Sequence, residues 1–80
     1  MKINLIAYGI AKDILSAKQL EFEFKPGDTI ASLKQRLFQR YPDFQKLKSL
    51  SFAIGDDYQD DSFTLRENDE VVIIPPVSGG

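Results

Sequence analysis

The chain has 80 residues and a net charge of −2, and it contains neither cysteine nor histidine. This length suits one domain, and the missing residue types exclude disulfides, thiolate nucleophiles, Cys/His zinc sites and a Ser-His-Asp triad in this sequence. Charge is uneven, since residues 1–50 hold nine Lys/Arg and five Asp/Glu, a balance of +4, whereas residues 51–80 hold one Arg and seven Asp/Glu, a balance of −6. The acidic third argues against a nucleic-acid ligand and favours a basic protein partner. Because no apolar run resembles a signal or membrane span, we expect a cytoplasmic protein with no membrane partner.

The first part of the chain predicts two strands. Apolar and polar residues alternate over residues 2–8 and again over residues 20–25, a pattern that is typical of strands with one buried face. Residues 11–15 between them suit one short helical turn.

One main helix is predicted over residues 30–41. Pro26-Gly27-Asp28 indicates a turn before it, Asp28 or Thr29 can cap it, and Pro42 should end it. Its apolar stripe consists of Ile30, Leu33, Leu37 and Tyr41. Its expected solvent side carries Lys34, Arg36 and Arg40.

The second half predicts strands over residues 50–54 and 71–74, with a short return strand at Tyr58-Gln59. The apolar residues expected to anchor the connecting loops are Phe44, Leu47, Phe63 and Leu65. This order of elements predicts an α+β domain with the helix packed across one face of a sheet.

Residues 71–74 are apolar at every position, which indicates that both faces of this last strand are covered. One helix covers only one face. Ile6, Tyr8 and Tyr58 also fall on the other face or near it, so the sequence predicts an apolar patch on the side of the sheet that lacks the helix.

An acidic segment at residues 56–61 contains four aspartates but does not fit a calcium-binding loop, because Tyr58 and Asp61 occupy positions that need an oxygen ligand and a glycine. We expect a solvated loop, or one that docks on a basic partner, and no metal site.

The last six residues are Pro75, Pro76, Val77, Ser78, Gly79 and Gly80. Two prolines favour a stiff, extended chain, and six extended residues reach roughly 20 Å. Glycines lack a Cβ and can pass through a channel too narrow for other residues. The sequence therefore predicts a domain at residues 1–74 followed by an extended tail at residues 75–80, which presents the Gly80 carboxylate to another protein.

Residues 69–80 resemble the C-terminus of the molybdopterin synthase small subunits, a family of ubiquitin-like sulfur carriers. The shared pattern is Asp-Glu-Val, further apolar residues, and Pro-Pro-Val-Ser-Gly-Gly. A weaker resemblance covers the whole chain, including its length and the stretch at residues 11–14. It implies a β-grasp, ubiquitin-like fold, with a mixed sheet of four to five strands and one main helix. Gly55 departs from the family, where a polar residue such as asparagine is frequent.

The resemblance also implies a chemical cycle. An E1-like activating enzyme uses ATP to adenylate the Gly80 carboxylate, and a sulfur donor protein converts it to a thiocarboxylate. The tail then enters the large synthase subunit and gives its sulfur to a cyclic pterin phosphate precursor, within a heterotetramer of two small and two large subunits. By resemblance, Tyr8, Tyr58 and Ile74 form the apolar contact with the large subunit, and Lys12 lies near it. The chain would not be an enzyme on its own and would bind no cofactor.

Other functions fit the same tail. The chain can be a sulfur carrier for thiamine synthesis or transfer-RNA thiolation, a modifier whose Gly80 ends on a target lysine, or a ubiquitin-like interaction domain. A standalone small enzyme is disfavoured by the residue inventory.

Overall fold

The structure is a computed structural model that describes residues 1–47 and 49–76. Its elements in chain order are β1 (Lys2–Ala7), α1 (Gly9–Leu15), β2 (Gln19–Glu23), α2 (Ile30–Arg40), a 3-10 helix (Pro42–Lys46), β3 (Ser51–Ile54), β4 (Asp57–Gln59) and β5 (Glu70–Ile74). The strands form one sheet in the order β2-β1-β5-β3-β4. β1 and β5 run parallel, and the other neighbouring strands are antiparallel. The predicted α+β class, with a mixed sheet and one main helix, is confirmed.

The main helix α2 begins and ends close to the prediction. Thr29 caps it: its Oγ1 accepts a hydrogen bond from the Ser32 amide at 3.4 Å, and its own amide donates to Ser32 Oγ at 3.3 Å. Such reciprocal capping satisfies amides that the first turn leaves free. Tyr41 leaves helical geometry with φ −131°, as expected before Pro42. The helix buries Ile30, Leu33 and Leu37.

The core lies between the helices and one face of the sheet. Alternate residues of β1 and β5, together with one residue each from β2 and β3, supply it, because successive side chains of a strand point to opposite faces. The sheet residues buried in this core are Ile3, Leu5, Ala7, Phe22, Phe52, Val71 and Ile73.

Two helical segments differ from the prediction. α1 spans Gly9–Leu15, longer than the single turn expected at residues 11–15, and Tyr8, assigned by its pattern to the first strand, is the N-cap of this helix. Gly9 has φ +55°, a value that glycine adopts at low cost, and so lets the chain turn directly from β1 into α1. The connector after Pro42 forms a 3-10 helix, which the sequence pattern did not indicate. Its Phe44 is fully buried, as predicted.

Two of the three basic residues of α2 are less solvated than predicted, whereas Arg40 is exposed. Lys34 Nζ lies 2.9 Å from Asp61 Oδ1, and Arg36 Nη2 lies 2.6 Å from Asp28 Oδ2. These pairs bridge α2 to the loops on both sides of it. Partly exposed pairs of this kind contribute about 0–1 kcal/mol each.

The loop between β4 and β5 also holds the start of α2. The Ile30 amide donates to the Phe63 carbonyl at 3.0 Å, and the Ala31 amide donates to the Asp61 carbonyl at 3.0 Å. Leu65 is buried in the core and Phe63 packs against it, as predicted. Part of the acidic segment therefore has a structural role.

Candidate functional site

One row of residues crosses the whole sheet on the face opposite α2. The pairing register sets Gln19 beside Ile6, Ile6 beside Val72, Val72 beside Ala53, and Ala53 beside Tyr58. Paired residues of neighbouring strands point to the same face. Since Ile3, Leu5, Val71 and Ile73 fill the core, this row faces away from it.

We call the apolar part of this side the open face. It consists of Ile6, Tyr8, Ala53, Tyr58, Val72 and Ile74. Tyr8 is 54% exposed and Tyr58 is 67% exposed, whereas the three aliphatic residues Ile6, Val72 and Ile74 are half-buried. Ala53 is 7% exposed although it lies outside the core cluster. A set of adjacent, partly exposed apolar side chains marks a surface that another molecule can cover.

Tyr8 reaches the open face through the parallel pairing of β1 and β5. Ala7 lies beside Ile73, so the next positions, Tyr8 and Ile74, are neighbours at the same end of the two strands. The Tyr8 carbonyl accepts hydrogen bonds from the first amides of α1, which holds its backbone in place. The Lys18 ammonium lies 5.8 Å from the centroid of the Tyr8 ring, within the range of a cation–π contact.

Lys12 is exposed on α1, one turn after Tyr8, and its amide donates to the Tyr8 carbonyl at 3.4 Å. Together with Lys18 it forms a basic rim beside the open face. The structure thus places Lys12 close to Tyr8 along the chain, and the role of both residues in a partner contact stays a prediction.

Tyr58 reaches the open face through a tight hairpin. Gly55 and Asp56 form the two-residue loop between β3 and β4, and Gly55 has φ +64°. A positive φ at the first loop position is typical of the type II′ turns that suit the twist of a hairpin. This turn sets Tyr58 opposite Ala53. The exposed Asp56 and Asp57 make this rim acidic, in contrast to the basic rim at α1.

The tail begins at the end of β5, which lies in the middle of the sheet. β5 pairs with β3 as far as Ile74, opposite Ser51, and the half-buried Pro75 and Pro76 follow directly. The predicted site residues Val77, Ser78, Gly79 and Gly80 lie outside the described residues. The division into a domain at 1–74 and a tail at 75–80 stays a prediction.

The described residues contain no constellation of reactive side chains. None of their charged or polar side chains is buried, and no three of their acidic residues gather closely enough to hold a metal ion. Within residues 1–47 and 49–76, no helix has the length and apolar character needed to cross a bilayer. The candidate functional site is therefore an apolar surface next to the start of the tail.

Sequence reasoning missed two members of this site. Ala53 was not identified, although its position in the strand indicates it. Side chains alternate between the two faces of a strand, so Ala53, which follows the core residue Phe52, lies on the face opposite the core. Lys18 was also missed, because its contact with Tyr8 joins residues on either side of α1 and leaves no periodic signal.

Comparison with known proteins gives three kinds of similarity. The model of the ThiS family matches residues 7–80. The molybdopterin synthase sulfur carrier subunit of Arabidopsis thaliana is 26% identical over 81 residues, covering 100% of this chain and 84% of that protein. The protein of the same name from Chlamydomonas reinhardtii is 28% identical over 83 residues, covering all of both chains.

Among solved structures, a putative molybdopterin converting factor subunit 1 from Pyrococcus furiosus superposes with a TM-score of 0.86 at 17% identity, covering 96% of this chain and 99% of that one. At this identity the likeness concerns the fold alone, and it confirms the expected β-grasp, ubiquitin-like architecture.

Proposed function

The chain belongs to the ThiS family, and on that premise we propose that it is the sulfur carrier subunit of a molybdopterin synthase. Relatives with this name match the chain over its whole length. The main support for the proposal is that three features follow one another directly along the chain. The central strand β5 places Ile74 on the open face, Pro75 and Pro76 follow at once, and the sequence then reads Val-Ser-Gly-Gly.

In this function the reacting group is the carboxylate of Gly80. A carboxylate is a poor electrophile, so an E1-like enzyme first joins it to the AMP portion of ATP and releases pyrophosphate. A sulfur donor protein then supplies sulfur at the oxidation level of sulfide, which attacks the acyl carbon and displaces AMP, and AMP leaves with one former carboxylate oxygen. The product is a thiocarboxylate, whose sulfur passes to a cyclic pterin phosphate precursor on the large subunit. No side chain of this chain needs to react, which agrees with the absence of Cys and His.

The open face supplies the docking surface for the large subunit. Tyr8 and Tyr58 offer aromatic rings with polar tips, a residue type enriched where proteins bind one another. Ile74 neighbours Tyr8 and directly precedes Pro75, so docking at this surface also directs the tail toward the large subunit. The basic rim at Lys12 and the acidic rim at Asp56 and Asp57 give the contact a direction, because a partner with complementary charges fits in one orientation.

The test is the intact mass of the chain after incubation with an E1-like enzyme, ATP and a sulfur donor. Exchange of one oxygen for sulfur raises the mass by about 16 Da. Deletion of Gly80 is the matched control, since it removes the reacting residue beyond the last strand and should leave thermal unfolding unchanged. A chain without Gly80 that still gains sulfur would refute the proposed site.

A second step separates the pathways. The loaded chain, mixed with the large subunit and the pterin precursor, should yield molybdopterin. We expect Gly79→Val to load poorly or fail to transfer, because a β-branched side chain is too wide for a channel shaped for bare backbone. Sulfur loading without molybdopterin formation would favour thiamine or transfer-RNA thiolation, and an isopeptide bond from Gly80 to a lysine would favour a protein modifier.

A further inference from the structure

A groove runs along the outer edge of the sheet, between β2 and α2. Its volume is about 490 Å³, and its lining residues are Glu21, Phe22, Glu23, Arg36, Gln39 and Arg40. A second, smaller groove continues it past Phe24 and Lys25 and shares Glu23 and Arg36 with it. Both lie on the side of the sheet that α2 covers, so they are separate from the open face. The proposed sulfur-carrier function gives them no role.

The backbone along this groove is available for pairing. β2 is the terminal strand in the order of the sheet, and none of the described residues forms a strand beside its outer edge. The Phe24 amide donates to Met1 and the Ala7 amide donates to the Lys18 carbonyl, so the even-numbered residues of β2 face β1. Because this orientation alternates along an antiparallel strand, Gln19 and Glu21 direct their backbone groups outward.

Arg36 confirms that orientation. Its Nη1 donates to the outward carbonyl of Glu23 at 2.5 Å, and its Nη2 pairs with Asp28 at 2.6 Å. One end of the β2 edge is therefore already occupied by a side chain. The free part of the edge is the segment from Gln19 to Glu21.

The helix side of the groove is cationic. Arg36 and Arg40 lie with their guanidinium carbons 6.0 and 5.9 Å from the centroid of the Phe22 ring. Arg40 has no ion pair within residues 1–47 and 49–76, whereas Arg36 is committed to Asp28. Glu21 and Glu23 also line the groove, but they alternate with the buried Phe22 along β2, and neither forms an ion pair with Arg40.

We propose that this groove docks an extended acidic segment of a partner protein, which adds to β2 as a sixth strand. Backbone groups of the segment pair with Gln19 and Glu21, and a carboxylate on its helix-facing side pairs with the Arg40 guanidinium. The proposal goes beyond the sulfur-carrier function and does not depend on the tail.

A second copy of this chain fits the groove less well. Two β2 strands paired with each other would set glutamates beside glutamates, which is repulsive. The acidic edge at β4 is complementary in charge, but β4 has three residues, and β4-to-β2 pairing would leave the same two edges free for continued growth. The glutamates of β2 and the short length of β4 therefore favour a segment of a different protein over a second copy of this chain.

The probe is a capped peptide that alternates glutamate with valine, compared with the same peptide carrying lysine in place of glutamate. The full-length, isotopically labelled chain is titrated with each peptide and followed by amide NMR spectra. We expect the acidic peptide alone to shift the amides of Gln19, Glu21 and Arg40 and to slow hydrogen exchange at Glu21. The amides of Tyr8 and Tyr58 on the open face should not move.

Arg40→Glu is the decisive variant, with Arg66→Glu as its matched control. Arg66 also lies over an aromatic ring, 5.4 Å from the centroid of Phe63, but is not among the residues that line the groove. Arg40→Glu should weaken peptide binding about tenfold or more, since it turns a charge-assisted contact into repulsion. Arg66→Glu should leave the affinity nearly unchanged.

Three results would overturn the proposal. One is equal binding of the acidic and basic peptides, or no binding of either. Another is an equal loss of affinity in the two arginine variants, which would show a response to net charge alone. The third is concentration-dependent shifts at both β2 and β4 without peptide, which would show that a second copy occupies this edge.

Discussion

The two faces of the sheet carry similar residues in different surroundings. Within β5, Val71 and Ile73 are 0% and 1% exposed, whereas their neighbours Val72 and Ile74 are half-buried. The four positions are equally apolar in the sequence, and they differ because α2 covers one face and no described element covers the other.

This contrast separates two uses of apolar residues. On the covered face, burial stabilises the fold by roughly 25 cal/mol for each Å² removed from water. On the open face, part of the apolar area stays in contact with water in the isolated chain. The free energy of burying that area can therefore contribute to the binding of a partner. A small domain is only marginally stable, so apolar residues that it leaves partly exposed on the open face indicate a function other than stabilising the fold.

The largest expected effect comes from substituting neighbours on the two faces. Ile73→Ala should lower the free energy of unfolding by about 2–5 kcal/mol, because it leaves a cavity in a packed core. Ile74→Ala should lower it by about 1 kcal/mol or less, because the side chain is already partly in water. Chemical denaturation of the two variants measures the difference directly.

The comparison between the faces would be wrong if both variants lost stability equally. Equal losses would mean that the open face is covered in the free chain. Analytical ultracentrifugation of the unsubstituted chain would then show whether a second copy covers it.

The next effect concerns partner binding. Ile74→Lys or Tyr8→Lys should weaken binding to the large subunit about a hundredfold, because an ammonium buried without a partner costs several kcal/mol. In the free chain the ammonium stays in water at the end of its long stem, so the melting temperature should change little. The measurements are a calorimetric titration against the large subunit and a melting curve of each variant.

Ser62→Lys is the matched control for these lysine variants. Ser62 is exposed in the loop between β4 and β5, and the carbonyls of its neighbours Asp61 and Phe63 bind the start of α2, on the opposite side of the sheet from the open face. It adds the same charge, so it should leave binding unchanged. Loss of the fold in the Ile74 and Tyr8 variants, with normal binding by the folded fraction, would assign these residues to the core.

Local patterns predicted much of this architecture. α2 was found within one residue, because its signals are local: a capping threonine, an apolar stripe and Pro42 after its end. The open face followed from strand parity and from the single main helix. These features depend on residues close to one another in sequence, where propensity and periodicity act.

The features that were missed depend on distant contacts. α1 was underestimated because its two core residues, Ala11 and Leu15, form too short a stripe to stand out. The pairs of Lys34 with Asp61 and of Arg36 with Asp28 are set by the fold, and no spacing rule indicates them. The groove along β2 also appears only when the order of strands shows which one is at the edge.

A smaller effect is expected at the hairpin that carries Tyr58 to the open face. Gly55→Ala should cost about 1–2 kcal/mol of stability, because alanine is strained at φ +64° even though its Cβ would meet no neighbour. Gly55→Asn should cost less, since asparagine tolerates this conformation. Thermal unfolding of the two variants tests the order. If alanine and asparagine are equally tolerated, the turn does not control where Tyr58 lies.

The smallest expected effect is at the basic rim of the open face. Lys12 is exposed on α1 and has no ion pair in the part of the chain that the structure describes, so Lys12→Ala should change stability by about 0.5 kcal/mol or less. Charges at the edge of an interface act mainly on the rate of association, and salt screens them. We therefore expect Lys12→Ala to slow association with the large subunit severalfold at low ionic strength, with little change in dissociation and a smaller effect at high salt.

The matched control is Lys46→Ala on the 3-10 helix, where the exposed pair with Asp43 contributes little. Stopped-flow binding at two salt concentrations distinguishes the cases: equal slowing by both variants would assign the effect to net charge, whereas slowing by Lys12→Ala alone would place the rim beside the bound partner.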